Sequence, residues 1–210
     1  MLLYKYKSLK NFEFVADTIL NERLHCSTYD RLNDPFEGLF LTIWKILINK
    51  KPLDRTFNIG KNVEYLPVDL TKTRICSLSS SISDVRLWSN YADGHKGIVF
   101  KINFSGLDSH IHKVVYSANL PEFTSPMPHE VLLYKTSHWE YEAEYRIIHE
   151  DKYFPINNRI KAIYLGYRIS NTHCDLLSKM TPNEIAIYRT RLNTRKIQVE
   201  SDKRLNKNSS

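Results

Sequence analysis

The feature that most constrains this chain is a series of short segments in which apolar and polar residues alternate, cut apart at close intervals by turn-forming residues. Segments 2–6, 74–79, 98–104, 143–149 and 160–165 each suit a strand, because a period of two puts one set of side chains on each sheet face. Segments 114–116, 185–188 and 196–199 are shorter candidates, and 23–27 would complete an opening strand, helix and strand. Helical spacing is confined to fewer places. Residues 11–21 bring Phe14, Val15, Thr18 and Ile19 together, and 39–48 read as a second helix. A cap at Ser83 or Asp84 precedes a short helix with Val85, Leu87, Trp88 and Tyr91, and a last one is expected at 174–180.

With the helices concentrated in the first half and no regular strand and helix alternation, the pattern predicts an α+β fold. The expectation is a single domain over 1–190, built on a mixed, mostly antiparallel curved sheet, followed by a basic, partly disordered tail over 191–210. Residues 49–69, with two prolines and one glycine, are the least regular part of the body and read as an insertion or a lid.

The 42% apolar fraction belongs to a folded globule, and the formal charge of +7 invites a polyanion reading. That charge is unevenly spread. From Arg189 to Ser210 there are seven basic residues against two acidic ones, which leaves the body at +2. No apolar stretch approaches the roughly 20 residues that span a bilayer. The opening MLLYKYKSLKNF also lacks a secretory pattern, so a cytoplasmic protein without membrane contact is expected. Cys26, Cys76 and Cys174 are odd in number and far apart, which argues for reduced, buried thiols and against a disulfide framework or a cysteine zinc site. No histidine has a metal-ligand spacing, so no metal is expected, and neither a Gly-rich phosphate loop nor a GxSxG elbow is present.

Three clusters could carry chemistry. The densest runs from His138 to Arg146. If it is extended, Glu142, Glu144 and Arg146 share one face while Ala143, Tyr145 and Ile147 pack on the other. Two carboxylates so placed can divide labour, one steadying developing positive charge and one orienting an acceptor, with the arginine clamping a phosphate or lowering their pKa values. The same residues also read as a surface strand with solvent-facing ion pairs, or as an i,i+4 pair on a helix. The second cluster is Ser77, Ser79, Ser80, Ser81, Trp88, Tyr91 and His95, which could hold a phosphate or ribose and stack on a ring, or could be a serine-rich cap beside a core tryptophan. The third, Asn33, Asp34 and Glu37, surrounds Pro35 and Gly38 in a specified loop. It could line a pocket near Lys5 or satisfy its own backbone.

Several of these motifs run in the order of a known family. Leu3-Tyr4-Lys5-Tyr6, Asn33-Asp34-Pro35-Phe36-Glu37, the stretch from Leu87 to Asp93 with His95-Lys96-Gly97, the stretch from Trp139 to Arg146 and Ile163-Tyr164-Leu165-Gly166 together resemble the DUF2971 family of bacterial proteins. The layout also looks like a remote variant of the ADP-ribosyltransferase fold. That resemblance implies NAD as cofactor, with Lys5, Ser79, Trp88 and Tyr91 around it. Glu144 would be the central catalytic group, Glu142 would orient the acceptor and Arg146 would give electrostatic support. It departs from the resemblance at Lys5, where many members carry His or Arg. The implied function is transfer of ADP-ribose to a protein or nucleic-acid acceptor, in toxin or antiviral defence biology. A nucleic-acid-processing component using the basic tail, and a noncatalytic binding or regulatory module, are the alternatives.

Overall fold

Strand β1 (Leu2–Lys7) leads through helix α1 (Phe12–Leu20) to the short strands β2 (Arg23–His25) and β3 (Ser27–Thr28). There follow β4 (Leu39–Trp44), β5 (Leu53–Asn58), β6 (Arg74–Ser79), α2 (Val85–Tyr91) and β7 (Ile98–Asn103). The middle of the chain holds β8 (Ile111–Lys113), β9 (Val115–Ser117), β10 (Glu122–Phe123), α3 (Pro128–Val131) and β11 (Tyr134–Thr136). It closes with β12 (Glu144–His149), β13 (Tyr153–Pro155), β14 (Ile160–Leu165), α4 (Asn171–Met180), β15 (Ala186–Asn193) and β16 (Gln198–Arg204). This is a computed structural model, and it describes residues 1–44, 53–58, 72–123, 127–196 and 198–205. Among the described residues no helix is long and apolar enough to cross a membrane.

The fold is mixed α+β, and its sheet is mostly antiparallel and not closed. The chain divides into two compact units. Unit 1 comprises Met1–His25, Ser77–Ser109 and Tyr153–Ser210, and unit 2 comprises Cys26–Cys76 and His110–Lys152, so the residues of β6 are shared out between them.

In unit 1, β16, β15, β14, β7 and β1 lie side by side in that order. The β14–β15 pair is parallel and the others are antiparallel. One sheet face is a continuous core: Leu3, Phe100, Ile102, Ile163, Leu165 and Ile187 are all buried. The alternating pattern of β1 and β7 follows from this, since every second residue must leave water while its neighbours need not. Helix α1 carries Phe14 beneath the Lys7 ammonium, 5.7 Å from the ring centroid. Asp84 caps α2 by accepting from the Arg86 amide, as its position before the apolar run predicts. The expected tail contains the end of β15 and all of β16, joined by an antiparallel ladder in which Leu192 faces Val199. Val199 is buried, so a basic stretch that looks solvated by composition sends an apolar side chain into the core. Residues 206–210 of that tail lie outside the described residues.

In unit 2, β3 pairs antiparallel with the start of β6, β8 with β12, and β4 with β5, while β9 and β11 run parallel. Ile75, Val131 and Leu132 form a small buried core with Tyr29, Leu32, Phe123 and Ile148 against it. The helix expected over 39–48 is corrected here: Leu39–Trp44 is a strand, and 45–48 lie outside the described residues. Its run Leu-Phe-Leu-Thr-Ile-Trp is rich in aromatic and β-branched residues, which pack well on a pleated surface, and an unbroken apolar run does not reveal its period. Of the irregular segment 49–69 only β5 is described.

Candidate functional site

Unit 2 holds all three predicted catalytic residues, Glu142, Glu144 and Arg146, together with partners that the sequence did not single out. A 3-10 turn over Ser137–Glu142 ends at Ala143, which takes a left-handed conformation with φ 43°, and β12 begins at the next residue. That reversal brings Glu142 and Glu144 to one ammonium. Lys135 Nζ, on β11, donates to Glu142 Oε2 at 2.5 Å, Glu144 Oε2 at 3.2 Å and Asn33 Oδ1 at 3.4 Å, which uses all three of its protons. It also lies 4.8 Å from the centroid of the Trp139 ring. Arg146, two residues along β12, grips Glu144 with two bonds, Nε to Oε1 at 2.8 Å and Nη2 to Oε2 at 3.0 Å. Its Nη1 donates to the Leu132 carbonyl at 2.6 Å and its Nη2 to Glu37 Oε1. The Glu144 amide donates to the Tyr116 hydroxyl at 2.8 Å.

The Asn33 to Gly38 loop supplies the other side of the network. Asp34 Oδ1 accepts from the Phe36 amide, which folds the loop on itself, while its Oδ2 accepts from the amide and hydroxyl of Thr136. Gly38 has φ 77°, a conformation glycine takes without strain. The loop thus satisfies its own backbone and also delivers Glu37 to Arg146. Lys5, expected near it, belongs to unit 1.

Burial changes the meaning of these contacts. Glu144 is 3% exposed and Arg146 0%, and Asp34, Glu37, Glu142 and Lys135 are buried as well, so the solvent-facing reading of this strand is corrected. Removing an ion from water costs several kcal/mol even in a relaxed protein, so only close pairing makes such a group tolerable. Three carboxylates, Glu37, Glu142 and Glu144, face the two cations Lys135 and Arg146, a surplus of one negative charge when all are ionised. Burial, more than any other cause, holds the Glu37 carboxyl above the usual glutamate range. Burial disfavours the charge on Lys135 and Arg146, but the facing carboxylates together outweigh it and hold both more firmly protonated than usual. Burial also pushes the Tyr116 phenol upward.

Beside this network lies an open cleft of about 220 Å³. Phe36, Tyr134, Ser137 and His138 line it, with the loop from Ser117 to Pro121 opposite. Lys135 belongs to both structures, with its ammonium in the network and part of its surface on the cleft. Neither Glu142 nor Glu144 lines the cleft.

The residues expected around NAD are in unit 1. Trp88 is 0% exposed, donates its Nε1–H to the Ile82 carbonyl at 2.7 Å and meets Tyr6 edge-on at 5.5 Å. Its ring is core. Lys5 Nζ donates to the Ser77 carbonyl at 2.8 Å, and the buried Ser79 hydroxyl accepts from the Ser81 amide at 3.0 Å. Tyr91 is half-buried on α2.

Sequence reasoning missed Lys135, Tyr116 and the pairing of Cys26 with His149. The one signal for Lys135 is a lysine set between Tyr134 and Thr136 in a strand that must bury every second residue. His149 Nε2 lies 3.2 Å from Cys26 Sγ, while its Nδ1 accepts from the Asp151 amide, so in the neutral ring the proton sits on Nε2 and points to sulfur. The ring is therefore not the base that would activate this buried thiol. Among the described residues no group of His, Cys, Asp and Glu has the arrangement of a metal site.

Fold and site together define an α+β protein with a sealed ion network beside a small open cleft. Comparison with family models, with curated proteins and with solved structures finds no match to this chain.

Proposed function

We propose that this protein is a noncatalytic binding module in which unit 2 recognises a small group through its cleft. The observation that carries the reading is the pairing of Glu142 with Lys135, and of Glu144 with both Lys135 and Arg146, within a buried network. A carboxylate that must orient an acceptor or face a developing cation needs contact with it, and these two contact their own protein instead. The network's role is then to hold β11, β12 and the Asn33 to Gly38 loop in register, which fixes the cleft wall that Phe36, Tyr134 and Lys135 provide. At about 220 Å³ the cleft is smaller than the roughly 300 Å³ and upward of drug-sized ligand sites, and suits one ring or one side chain rather than a dinucleotide.

Two measurements on the purified protein test this. Titration with nicotinamide and with N-acetyltyrosine amide, followed by amide chemical shifts, is expected to perturb residues 117–121 and 134–138 with at least one probe. Incubation with NAD is expected to release no nicotinamide above the protein-free control. Release that vanishes in Glu144→Gln would overturn the reading and establish ADP-ribosyltransferase-like chemistry, for which the surplus negative charge around Glu144 would supply cation stabilisation. Absence of shifts with both probes would remove the cleft from the account.

A further inference from the structure

The second face of the unit 1 sheet differs from the buried one. Cross-strand neighbours share a face, so the ladders Tyr4 to Ser79, Tyr4 to Lys101, Val99 to Tyr164 and Tyr164 to Tyr188 place these residues on one side. Helix α2 covers one end of it through the Tyr6 and Trp88 contact. Beyond that end, Tyr4, Lys101, Tyr164 and Tyr188 are half-buried, whereas their neighbours in sequence, Leu3, Phe100, Ile163 and Ile187, are buried on the other side. The three rings form a connected row. Tyr164 and Tyr188 lie 5.3 Å apart and 19° from parallel, and Tyr4 meets Tyr164 edge-on at 6.5 Å.

Charge is divided unevenly between the two units. Unit 1 has 18 Lys and Arg against 10 Asp and Glu, and unit 2 has 12 against 13, so the whole positive surplus of the chain belongs to unit 1. Beyond the end of β15, five residues and more along the chain from Tyr188, the turn to β16 exposes Arg195 and Lys196, whose amides are held by Asn193 Oδ1. Arg191 is paired with Glu200 at 2.8 Å and contributes less.

We infer that this half-open face of unit 1 binds single-stranded nucleic acid, with the tyrosine row meeting bases and Lys101, Arg195 and Lys196 meeting phosphates. A single strand is the partner that offers flat apolar rings and a regular line of negative charge together, and a tyrosine row with Lys101 among its rings and a basic turn beyond the end of β15 complements both. An acidic peptide complements only the charge. The inference concerns unit 1 alone and stands apart from the cleft of unit 2.

The test is fluorescence anisotropy of the full chain with labelled oligothymidylate and oligouridylate of about 20 nucleotides, beside labelled polyglutamate of similar length. Both oligonucleotides are expected to bind at least ~10-fold more tightly than polyglutamate, with affinity falling as salt rises from about 50 to about 300 mM. A preference between the two would show whether the 2′-hydroxyl is read. Tyr164→Ala is expected to weaken binding by ~10-fold and Tyr164→Phe by less than about 2-fold, because the stacking surface is kept. Lys101→Ala should lower the salt slope by about 0.7, the share of one phosphate contact. Tyr188→Leu, with its fold checked by circular dichroism, repeats the ring test should Tyr164→Ala unfold. Equal binding of polyglutamate, an absence of oligonucleotide binding at low salt, or unchanged affinity in both folded ring variants would overturn the inference.

Discussion

Arg146 has no exposed surface, yet it anchors Glu144, Glu37 and the Leu132 carbonyl, while the second oxygen of Glu37, Oε2, has no hydrogen-bond partner among the described residues. The two ends of this contact therefore differ in what their removal should do. Arg146→Met strips the compensation from two buried carboxylates and is expected to cost about 3–5 kcal/mol in urea unfolding. Glu37→Gln keeps the shape and one acceptor, and lowers the negative surplus by one, so its loss should be much smaller. The sign with pH follows from the raised pKa. Folded Glu37 holds its proton above the ordinary value of 4.5, so the folded state binds more protons than the unfolded one in the window above that value. Wild-type stability relative to Glu37→Gln should accordingly fall as pH rises through the window and level off above the folded pKa. Urea midpoints of both proteins from about pH 4 to pH 8 measure this, and parallel curves would show that Glu37 is ordinarily ionised. Of these residues the sequence marks Glu142, Glu144 and Arg146 by spacing and Glu37 by its loop, but Lys135 only weakly. Their mutual pairing depends on β9, β11 and a loop about 100 residues away meeting at one point, as the bond from Thr136 to Asp34 records.

At the scale of elements, two backbone positions set the geometry and respond to substitution in opposite ways. Ala143 pays the steric cost of a left-handed residue to turn the 3-10 segment into β12. Ala143→Gly relieves that strain while enlarging the freedom of the unfolded chain, so the expected result is stabilisation of up to about 1 kcal/mol, read from the urea midpoint. A loss instead would mean that the alanine methyl packs usefully. Gly166, at the end of β14, is the converse. A Cβ there would stand 2.1 Å from the His95 carbonyl oxygen, a backbone atom that cannot swing aside, and His95 and Gly97 are tied to this segment by the amides of Arg168 and Gly166. Gly166→Ala is expected to destabilise by on the order of 3 kcal/mol. Elements of this kind were legible where a pattern met a punctuation mark: β7 follows the turn from Asp93 to Gly97, β14 stops at Gly166, and α2 begins at its Asp84 cap. They were illegible where the pattern lacked a period, as in β4, and half legible in β16, where 196–199 read as a strand but its continuation to Arg204 read as tail.

At the scale of the whole molecule, the total of +7 conceals a division that only the folded arrangement discloses. The sequence reading assigns most of the surplus to 189–210, and the structure carries that stretch into the unit 1 sheet through β15 and β16, where its charges add to those of the rest of the unit. Like charges gathered on one compact body repel, and salt weakens that repulsion over a Debye length of about 10 Å at 0.1 M. Unit 2, with nearly balanced charges and close buried pairs, has little of this repulsion to lose, since buried pairs are poorly screened. Raising NaCl from about 50 to about 500 mM should therefore slow amide hydrogen exchange in β7, β14 and β15 more than in β11 and β12. Peptide-level mass spectrometry resolves the two sets. An equal response would mean that neighbouring acidic groups already neutralise the basic residues of unit 1, and the charge on its sheet face would then be too weak to draw a phosphate backbone. A selective response would show that the surplus acts as a real field on that unit, the physical condition on which recognition of a polyanion by Lys101, Arg195 and Lys196 depends.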